Sequence, residues 1–165
     1  MIDIKELQIV PAEKIPEAQD APLDDLMFLF RIFARLEKLC SDENGIGLSA
    51  VQVGLPYKIF VVQRGRHFEY YVNCDYEGSG EKQVSIEGCL SIRKEDGEIR
   101  RFEVMRYPTV KIKGKQLILA DAPSLKLKSV DKEESGLYAV VMQHEIDHSK
   151  QILISDIGKE IFIVG

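Results

Sequence analysis

The amino-acid sequence predicts an α+β fold in which short antiparallel sheets pack around a central helix, with a second helix near the N-terminus. Apolar residues recur at helical spacing in residues 23–41 and again in the turns before residue 148. Between these segments, short runs of strand-forming residues are separated by glycine and proline. Strands that cluster in the middle of a chain, with helices on either side, are typical of α+β rather than of alternating α/β proteins.

Length and composition predict one globular domain over residues 1–165. Hydrophobic residues make up 45% of the chain and charged residues 30%, and no apolar run is long enough to cross a membrane. The first residues lack the pattern of a signal peptide. Three cysteines in such a chain predict free thiols in a reducing cytoplasm. The net charge of −5 gives no reason to expect specific nucleic-acid binding.

Residues 23–41 are predicted to form the first helix, which we interpret as scaffold packed on a sheet. One face of this helix is apolar. That face consists of Leu26, Leu29, Phe30, Phe33, Leu36 and Cys40. Pro22 suits the first helical turn, where a missing N–H costs nothing.

The central part of the chain is predicted to form strands. The predicted strands are residues 58–63, 67–73, 98–106, 109–113 and 116–120. Gly78 and Gly80 indicate a turn, and residues 121–124 are expected to turn the chain. His67 begins one of these strands in a polar setting, so we predict that it lies on the surface.

The last helix is predicted to begin near Ser129 or Asp131 and to carry the sequence of residues 143–148. His144 and His148 are four residues apart, so both imidazoles lie on one side of the helix and can reach one cation. Glu145 points elsewhere around the helix and can act as a general base, as in metal hydrolases of the His-Glu-x-x-His type. A charged helix face that spells this motif by chance is the plainer alternative.

A catalytic metal of this class takes three protein ligands, so one further ligand is expected. Only 17 residues follow His148, and they offer neither a histidine nor a substantial second helix. The third ligand is therefore expected upstream. Cys40 and Cys74 occupy ordinary burial positions for a thiol. Cys89 differs, because a glycine precedes it where a strand pattern ends, and it could present a thiolate and the next backbone N–H to one point.

Residues 44–54 are rich in glycine and small side chains, which lets backbone approach a ligand or another strand closely. A phosphate loop is excluded, since neither the lysine nor the third glycine of such loops is present. Gln52 is the one large polar side chain in a mostly apolar run. From this stretch alone, a satisfied core amide is the favoured interpretation of Gln52.

Residues 45–52, 87–91 and 143–148 together resemble the three motifs of peptide deformylase, in order and at plausible separations. The resemblance implies that Cys89, His144 and His148 bind the metal. It also implies that Glu145 is the catalytic acid and base, and that Gln52 and the backbone N–H of Leu90 bind the oxyanion. For Gln52 this replaces the core-amide interpretation.

Two arginines follow the second motif at the spacing of the family. The resemblance implies that Glu87 pairs with Arg106 behind the metal ligands, and that Arg101 lies near the bound peptide. A solvated strand charge is an equal alternative for Arg101. The methionine side chain of the substrate is expected to enter an apolar pocket. The residues expected to line that pocket are Ile46, Gly47, Leu90, Val140 and Val141.

By this resemblance the chain removes the N-terminal formyl group from nascent formyl-methionyl polypeptides, at or near the ribosome, and releases formate. It favours Fe²⁺ as the single divalent ion, with Zn²⁺, Ni²⁺ and Co²⁺ as ions that the same ligands accept. We expect a monomer in the bacterial cytoplasm, encoded by the cell or by a phage. A general zinc endopeptidase would need a ligand downstream of His148, and a non-catalytic metal module would be expected to lose Glu145 or Gln52.

The sequence departs from the family pattern at three places. Ser49 stands where alanine is usual, a change of small residue for small residue that we expect to be harmless. Residues 92–97 form a longer and more charged segment than usual and could reshape the mouth of the site. After His148 the usual leucine and glycine are replaced, and the remaining tail is short.

Overall fold

In the computed structural model, which describes residues 2–120 and 124–162, the chain forms two antiparallel sheets and three α-helices. The helices are α1 (Leu26–Asp42), α2 (Leu137–Ser149) and α3 (Ile154–Ile157), and 3₁₀ turns cover Ile4–Glu6, Ala12–Lys14 and Ala50–Val53. The strands are β1 (Gly47–Ser49), β2 (Ile59–Arg64), β3 (His67–Ser79), β4 (Gln83–Arg93), β5 (Ile99–Arg106), β6 (Thr109–Leu119), β7 (Leu125–Ser135) and β8 (Lys159–Ile161). The predicted α+β class is confirmed. None of the helices in the described ranges is both long and apolar enough to cross a membrane.

The larger sheet separates the two long helices. Its strand order is β1-β2-β3-β6-β7, and the smaller sheet has the order β4-β5-β8. Alternate residues of β2 point to opposite faces. Val61 packs with the α1 side of the core, whereas Val62 packs with the α2 side. A strand buried on both faces shows no alternation, which explains the continuous apolar run of β2.

Helix α1 begins later than predicted. The carboxylate of Asp25 accepts a hydrogen bond of 3.0 Å from the backbone N–H of Phe28 and caps the helix there. Pro22 therefore lies before the helix and outside its first turn. Of the predicted inner face, Leu29, Phe33, Leu36 and Cys40 are fully inaccessible to solvent, whereas Leu26 and Phe30 are half-buried.

The predicted start of the last helix is wrong. Residues from Leu125 to Ser135 form β7, which pairs with β6 without a break from Thr109↔Ser135 to Leu119↔Leu125. Ser129 and Asp131 are therefore strand residues and cap nothing. Gly136, at φ 66°, makes the change from strand to helix directly before Leu137. Local sequence propensity favoured a capped helix in this segment, but hydrogen bonding to β6 stabilises a strand instead.

Other strand boundaries also differ from the prediction. The segments predicted as 109–113 and 116–120 form the single strand β6, which ends at Leu119, because β7 supplies partners along its whole length. Strand β3 continues through Gly78 to Ser79, and the turn falls at Gly80, whose φ is 88°. His67 is exposed, as predicted. Of the turn predicted over residues 121–124, residues 121–123 lie outside the described part of the chain.

Candidate metal centre and active site

Three potential metal ligands converge where α2 meets β4. His144 and His148 occupy successive turns of α2, and Cys89 lies on β4. Their ligand atoms all lie within 4.8 Å of one another. Cys89 and His148 are buried, and the side chain of His144 is 14% exposed. The structure thus brings together the three residues that the sequence proposed as metal ligands.

One separation within this cluster matches a tetrahedral ion. Thiolate and imidazole ligands at about 2.3 and 2.1 Å from such an ion lie about 3.6 Å apart. The distance between Cys89 Sγ and His148 Nε2 is 3.6 Å. A single thiol with two imidazoles is also a donor set that both zinc and iron accept. The residues therefore fit a divalent metal by their convergence on one point and by their donor chemistry.

A chain of short polar contacts holds His144 from behind. Its Nδ1 lies 2.8 Å from Glu87 Oε1, which leaves Nε2 for the ligand cluster. Arg106 grips the Glu87 carboxylate with two hydrogen bonds of 2.9 and 2.8 Å, and its third contact is Asp147 Oδ2 at 2.8 Å. The hydroxyl of Tyr76 donates to Asp147 Oδ1 at 2.8 Å. We call these four residues, Glu87, Arg106, Asp147 and Tyr76, the rear network.

The rear network sets the charge around His144. Burial opposes ionisation of Glu87, but the bonds from Arg106 and His144 outweigh it and lower the pKa of this carboxyl to about 2. Burial also opposes protonation of His144, whereas hydrogen bonds to Cys89 and Glu87 raise its pKa to about 10. The site therefore favours a positive charge at this imidazole. A coordinated cation would supply that charge in place of a proton.

His148 has no comparable support. Its Nδ1 is buried and has no hydrogen-bond partner among the residues that the structure describes. Burial and the neighbouring His144 both lower the pKa of His148 well below its usual value. A neutral imidazole is the form that binds a metal. Its Nε2 is directed towards Cys89 Sγ and lies 3.7 Å from Glu145 Oε1.

Glu145 lies beside the cluster, held between Gly47 and Ser49. A Cβ atom built on Gly47 would lie 2.7 Å from Glu145 Oε2, so any side chain at position 47 would displace the Glu145 carboxylate. The hydroxyl of Ser49 lies 3.4 Å from Glu145 Oε1. Burial raises the pKa of Glu145 to about 7, although His144 and the Ser49 hydroxyl lower it in part. A carboxylate with such a pKa is suited to act as general base and then as general acid near neutral pH.

Gln52 points its amide group at the ligand cluster. Its Oε1 accepts a hydrogen bond of 2.9 Å from the backbone N–H of Ser49, and its Nε2 lies 3.5 Å from Cys89 Sγ and 3.3 Å from Ser91 Oγ. Gln52 is buried. The Gln52 oxygen is therefore bonded to backbone, as expected for a core amide. The Gln52 nitrogen is directed towards the ligand cluster.

Leu90 follows Cys89 on a part of β4 that leaves the ladder. The β4–β5 register passes from Gly88↔Arg101 directly to Arg93↔Ile99, so Leu90 has no partner in the described register. Its backbone N–H can therefore point elsewhere than to β5. The side chain of Arg93 donates to the Leu90 carbonyl at 3.1 Å and fixes the local backbone.

A cleft of about 340 Å³ opens onto the cluster. Every pocket residue predicted from the sequence lines it, namely Ile46, Gly47, Leu90, Arg101, Val140 and Val141. Arg101 is placed over Gly88, since a Cβ on that glycine would meet the guanidinium at 2.6 Å. Ile86, Ile99 and Leu137 complete the apolar wall and were not predicted.

The sequence interpretation missed several supporting residues. Asp147 and Gln143 belong to the motif on α2 but were given no role. Gln143 clamps the backbone of Tyr107, accepting from its N–H at 3.0 Å and donating to its carbonyl at 2.9 Å. The carboxylate of Asp147 and the amide of Gln143 lie on the helix that carries the ligands, and this position could have indicated a supporting role. No sequence pattern indicated a role for Tyr76, because 71 positions separate it from Asp147.

The other two cysteines are buried, as predicted. Burial raises the pKa of the Cys40 thiol to about 12 and that of the Cys74 thiol to about 11. Both are therefore protonated thiols near neutral pH. Neither belongs to the cluster of ligand atoms.

Comparison with known proteins matches a family model described as polypeptide deformylase over residues 11–161. A peptide deformylase of Caulobacter vibrioides is 30% identical over 152 residues, which cover 88% of this chain and 75% of that protein. A peptide deformylase of Phenylobacterium zucineum is 28% identical over 88% of this chain and 76% of its own length.

Solved structures give the same result. The crystal structure of a probable peptide deformylase from Synechococcus phage S-SSM7 matches with a TM-score of 0.75 and 26% identity, covering 92% of this chain and 99% of that one. The peptide deformylase of Thermotoga maritima also matches with a TM-score of 0.75 and 26% identity, covering 92% of this chain and 96% of its own.

Proposed function

Because this chain belongs to the polypeptide deformylase family, we propose that Cys89, His144 and His148 hold one divalent metal ion in a single catalytic domain of residues 1–165. The chain hydrolyses the N-terminal formyl group of formyl-methionyl peptides and releases formate and a free α-amino group. The observation that carries the proposal is one thiol and two imidazoles within 4.8 Å of one another at a cleft that also holds Gln52 and Glu145.

The metal supplies Lewis-acid chemistry when bound, since it polarises the formyl carbonyl and lowers the pKa of water towards neutrality. Its ligands are fixed by the chain, with Glu87 directing His144 from behind. Because two imidazoles and one thiolate do not select the ion, the proposal of Fe²⁺ as the physiological metal is supported by the family resemblance alone. Zn²⁺, Ni²⁺ and Co²⁺ are proposed as ions that also bind.

Glu145 is the proposed acid and base. Its carboxylate takes one proton from the attacking water, whose oxygen forms a bond to the formyl carbon. The same proton then goes to the leaving nitrogen as the carbon–nitrogen bond breaks. A pKa raised to about 7 by burial supports both transfers, because the group can gain and lose a proton near neutral pH.

Gln52 and Leu90 are the proposed oxyanion donors. The Gln52 amide is oriented by the backbone N–H of Ser49, so its Nε2 is available on the side of Cys89. The Leu90 N–H lies in the stretch of β4 that the β4–β5 register omits. Donors fixed before the reaction stabilise the developing negative charge without reorganisation.

The cleft receives the methionine side chain. Val140 and Val141 lie one turn before His144 on α2, and Ile46 and Leu90 line the same cleft of about 340 Å³. This apolar lining supports a medium-sized apolar side chain at the first position of the peptide. Arg101 lines the same cleft and is proposed to contact the bound peptide.

The proposed substrates are nascent formyl-methionyl polypeptides, met as they leave the ribosome in the cytoplasm. We propose that the chain acts as a monomer and needs neither a membrane nor a specific nucleic acid. Similarity to both bacterial and phage enzymes supports a bacterial host or a phage genome as the setting.

Formate release from a formyl-methionyl dipeptide tests the proposal directly. The protein should be prepared without air and assayed with measured metal content. Cys89→Ser should lose metal and activity together. Cys74→Ser is the matched control, since it changes a buried thiol outside the ligand cluster, and it should retain both. Cleavage of internal peptide bonds without formate release would indicate an endopeptidase and contradict the proposal.

The same assay with different metals tests the proposal of iron. An iron–thiolate centre is open to oxidation at Cys89. The Fe²⁺ protein should therefore be fast and lose activity in air, whereas Ni²⁺ or Co²⁺ should protect it and Zn²⁺ should give a stable, slower form. Equal turnover with zinc and iron, and no loss in air, would contradict the preference for iron.

A further inference from the structure

Ser49 contacts both of the side chains to which the proposed reaction assigns chemistry. It ends β1 and precedes the 3₁₀ turn that carries Gln52, and it is only 2% exposed. Its backbone N–H donates to Gln52 Oε1 at 2.9 Å. Its hydroxyl lies 3.1 Å from the backbone carbonyl of Glu145 and 3.4 Å from the carboxylate oxygen Oε1 of the same residue.

The backbone of Ser49 decides which end of the Gln52 amide faces the site. A primary amide has an accepting oxygen and a donating nitrogen, and a buried amide is turned by the partner that engages one end. The Ser49 N–H takes the oxygen, so the nitrogen is directed to Cys89 and Ser91. Any residue except proline would supply this N–H.

The hydroxyl of Ser49 acts on Glu145 in a way that alanine could not. The carboxylate is confined on one side by Gly47, where even a Cβ atom would come within 2.7 Å of Oε2. On the other side, Ser49 Oγ is within reach of both the main chain and the carboxylate of Glu145. The hydroxyl has one hydrogen, so it donates to one of these two Glu145 oxygens at a time, and it accepts at its lone pairs when the Glu145 carboxyl group carries a proton. Ser49 therefore fixes the carboxylate relative to its own helix.

We propose that Ser49 is a positioning residue for the hydrolysis, whose hydroxyl orients the Glu145 carboxylate while its N–H orients the Gln52 amide. This inference rests on the proposed function. It replaces the expectation that serine in place of alanine at this position is without effect.

Ser49→Ala tests the hydroxyl alone, because alanine keeps the N–H that holds Gln52. We expect kcat to fall about tenfold, the size expected for losing one hydrogen bond to a charged group. KM and metal content should stay within about twofold, because neither the pocket nor a ligand is altered. In a Glu145→Gln background, the same substitution should give no further decrease in kcat, since the group that it positions is already gone.

Ser149→Ala is the matched control. The Ser149 hydroxyl donates to the backbone carbonyl of Ile146 at 2.6 Å, so its loss also removes a serine contact to the main chain of α2. The melting temperature of Ser149→Ala should fall by about as much as that of Ser49→Ala, but its kcat should be unchanged.

Two results would overturn the inference. One is equal loss of kcat in the two serine variants, and the other is a lowered melting temperature of Ser49→Ala with unchanged kcat. Either would mean that Ser49 only anchors the helix. Failure of the proposed function is distinguishable from both, because the unaltered protein would then release no formate at all.

Discussion

The ligand cluster has two sides that are built differently. Behind it, the rear network of Glu87, Arg106, Asp147 and Tyr76 is buried or half-buried, and its contacts are 2.8–2.9 Å long. On the side of the cleft, the contacts made by Gln52 Nε2 are 3.3 and 3.5 Å, and Glu145 lies 3.7 Å from His148. Short contacts hold a geometry, whereas the longer contacts on the cleft side are weaker and are more easily exchanged for contacts to a substrate.

This difference leads to a general expectation. Variants on the rear side should lose metal and stability, because they break a closed set of hydrogen bonds around a buried charge. Variants on the cleft side should keep the fold and the metal and lose turnover, because their polar groups become fully engaged only in the transition state.

The largest effect is expected on the cleft side, for Glu145→Gln. Proton transfer by a positioned group contributes about 10²- to 10⁴-fold to rate, so turnover should fall by that factor or more while metal content is unchanged. Steady-state kinetics beside metal analysis measures both quantities. Glu43→Gln changes another carboxylate that lines the cleft and should alter turnover by less than about twofold. Near-normal turnover of Glu145→Gln would mean that another group takes the proton.

The largest effect on the rear side is expected for Arg106→Ala. This change removes the buried cation that pairs with the carboxylates of Glu87 and Asp147, at a cost of about 3–5 kcal/mol in the free energy of unfolding. Denaturant titration and metal retention during dialysis should show both losses. Arg100→Ala removes a solvent-accessible pair with Glu160 and should cost far less stability than Arg106→Ala. Unaltered metal content and melting temperature of Arg106→Ala would contradict a supporting role.

Gln52→Leu tests the cleft side at the proposed oxyanion donor. Loss of one such donor costs about 2.7–4 kcal/mol of activation free energy, so kcat should fall about 10²- to 10³-fold with little change in KM. The variant should fold and bind metal. If it unfolds and its remaining folded fraction keeps full specific activity, Gln52 is a core amide only.

The rear network also predicts a pH dependence of stability. The pKa of Glu87 is lowered from about 4.5 to about 2 in the folded chain, so unfolding binds a proton to this group at acidic pH. Its contribution is complete above pH 4.5 and is lost as the pH falls towards 2. Denaturation curves between pH 4.5 and 2 should show that the free energy of unfolding decreases as the pH is lowered. Glu87→Gln should make this decrease smaller. An unchanged slope would show that Glu87 is not held as an anion.

The smallest effect is expected for Tyr76→Phe, at the end of the rear network. The variant keeps the ring and removes one hydrogen bond to Asp147. The free energy of unfolding should fall by about 1 kcal/mol, and metal should be lost slightly faster during dialysis. Its kcat with saturating metal should be unchanged. A selective loss of kcat would show that the network acts on turnover, and the distinction between the two sides would fail.

The sequence alone determined the parts of this protein that depend on local spacing. Four residues on a helix bring two imidazoles to one side, so the ligand pair on α2 followed from its pattern, and so did the buried face of α1. The three motifs then identified Cys89, Gln52 and Leu90 through resemblance, although their separations along the chain say nothing about distance in space.

The tertiary structure decided whatever depends on contacts between distant segments. The start of α2 was set by the pairing of β7 with β6, which outweighed a plausible helix cap at Ser129 or Asp131. Tyr76 meets Asp147, and Ser49 meets Glu145, only because the sheet and the helix pack together. Such contacts leave no periodic trace in a sequence, since each joins residues whose local patterns are independent. The supporting groups around the predicted ligands were therefore found only in the folded chain.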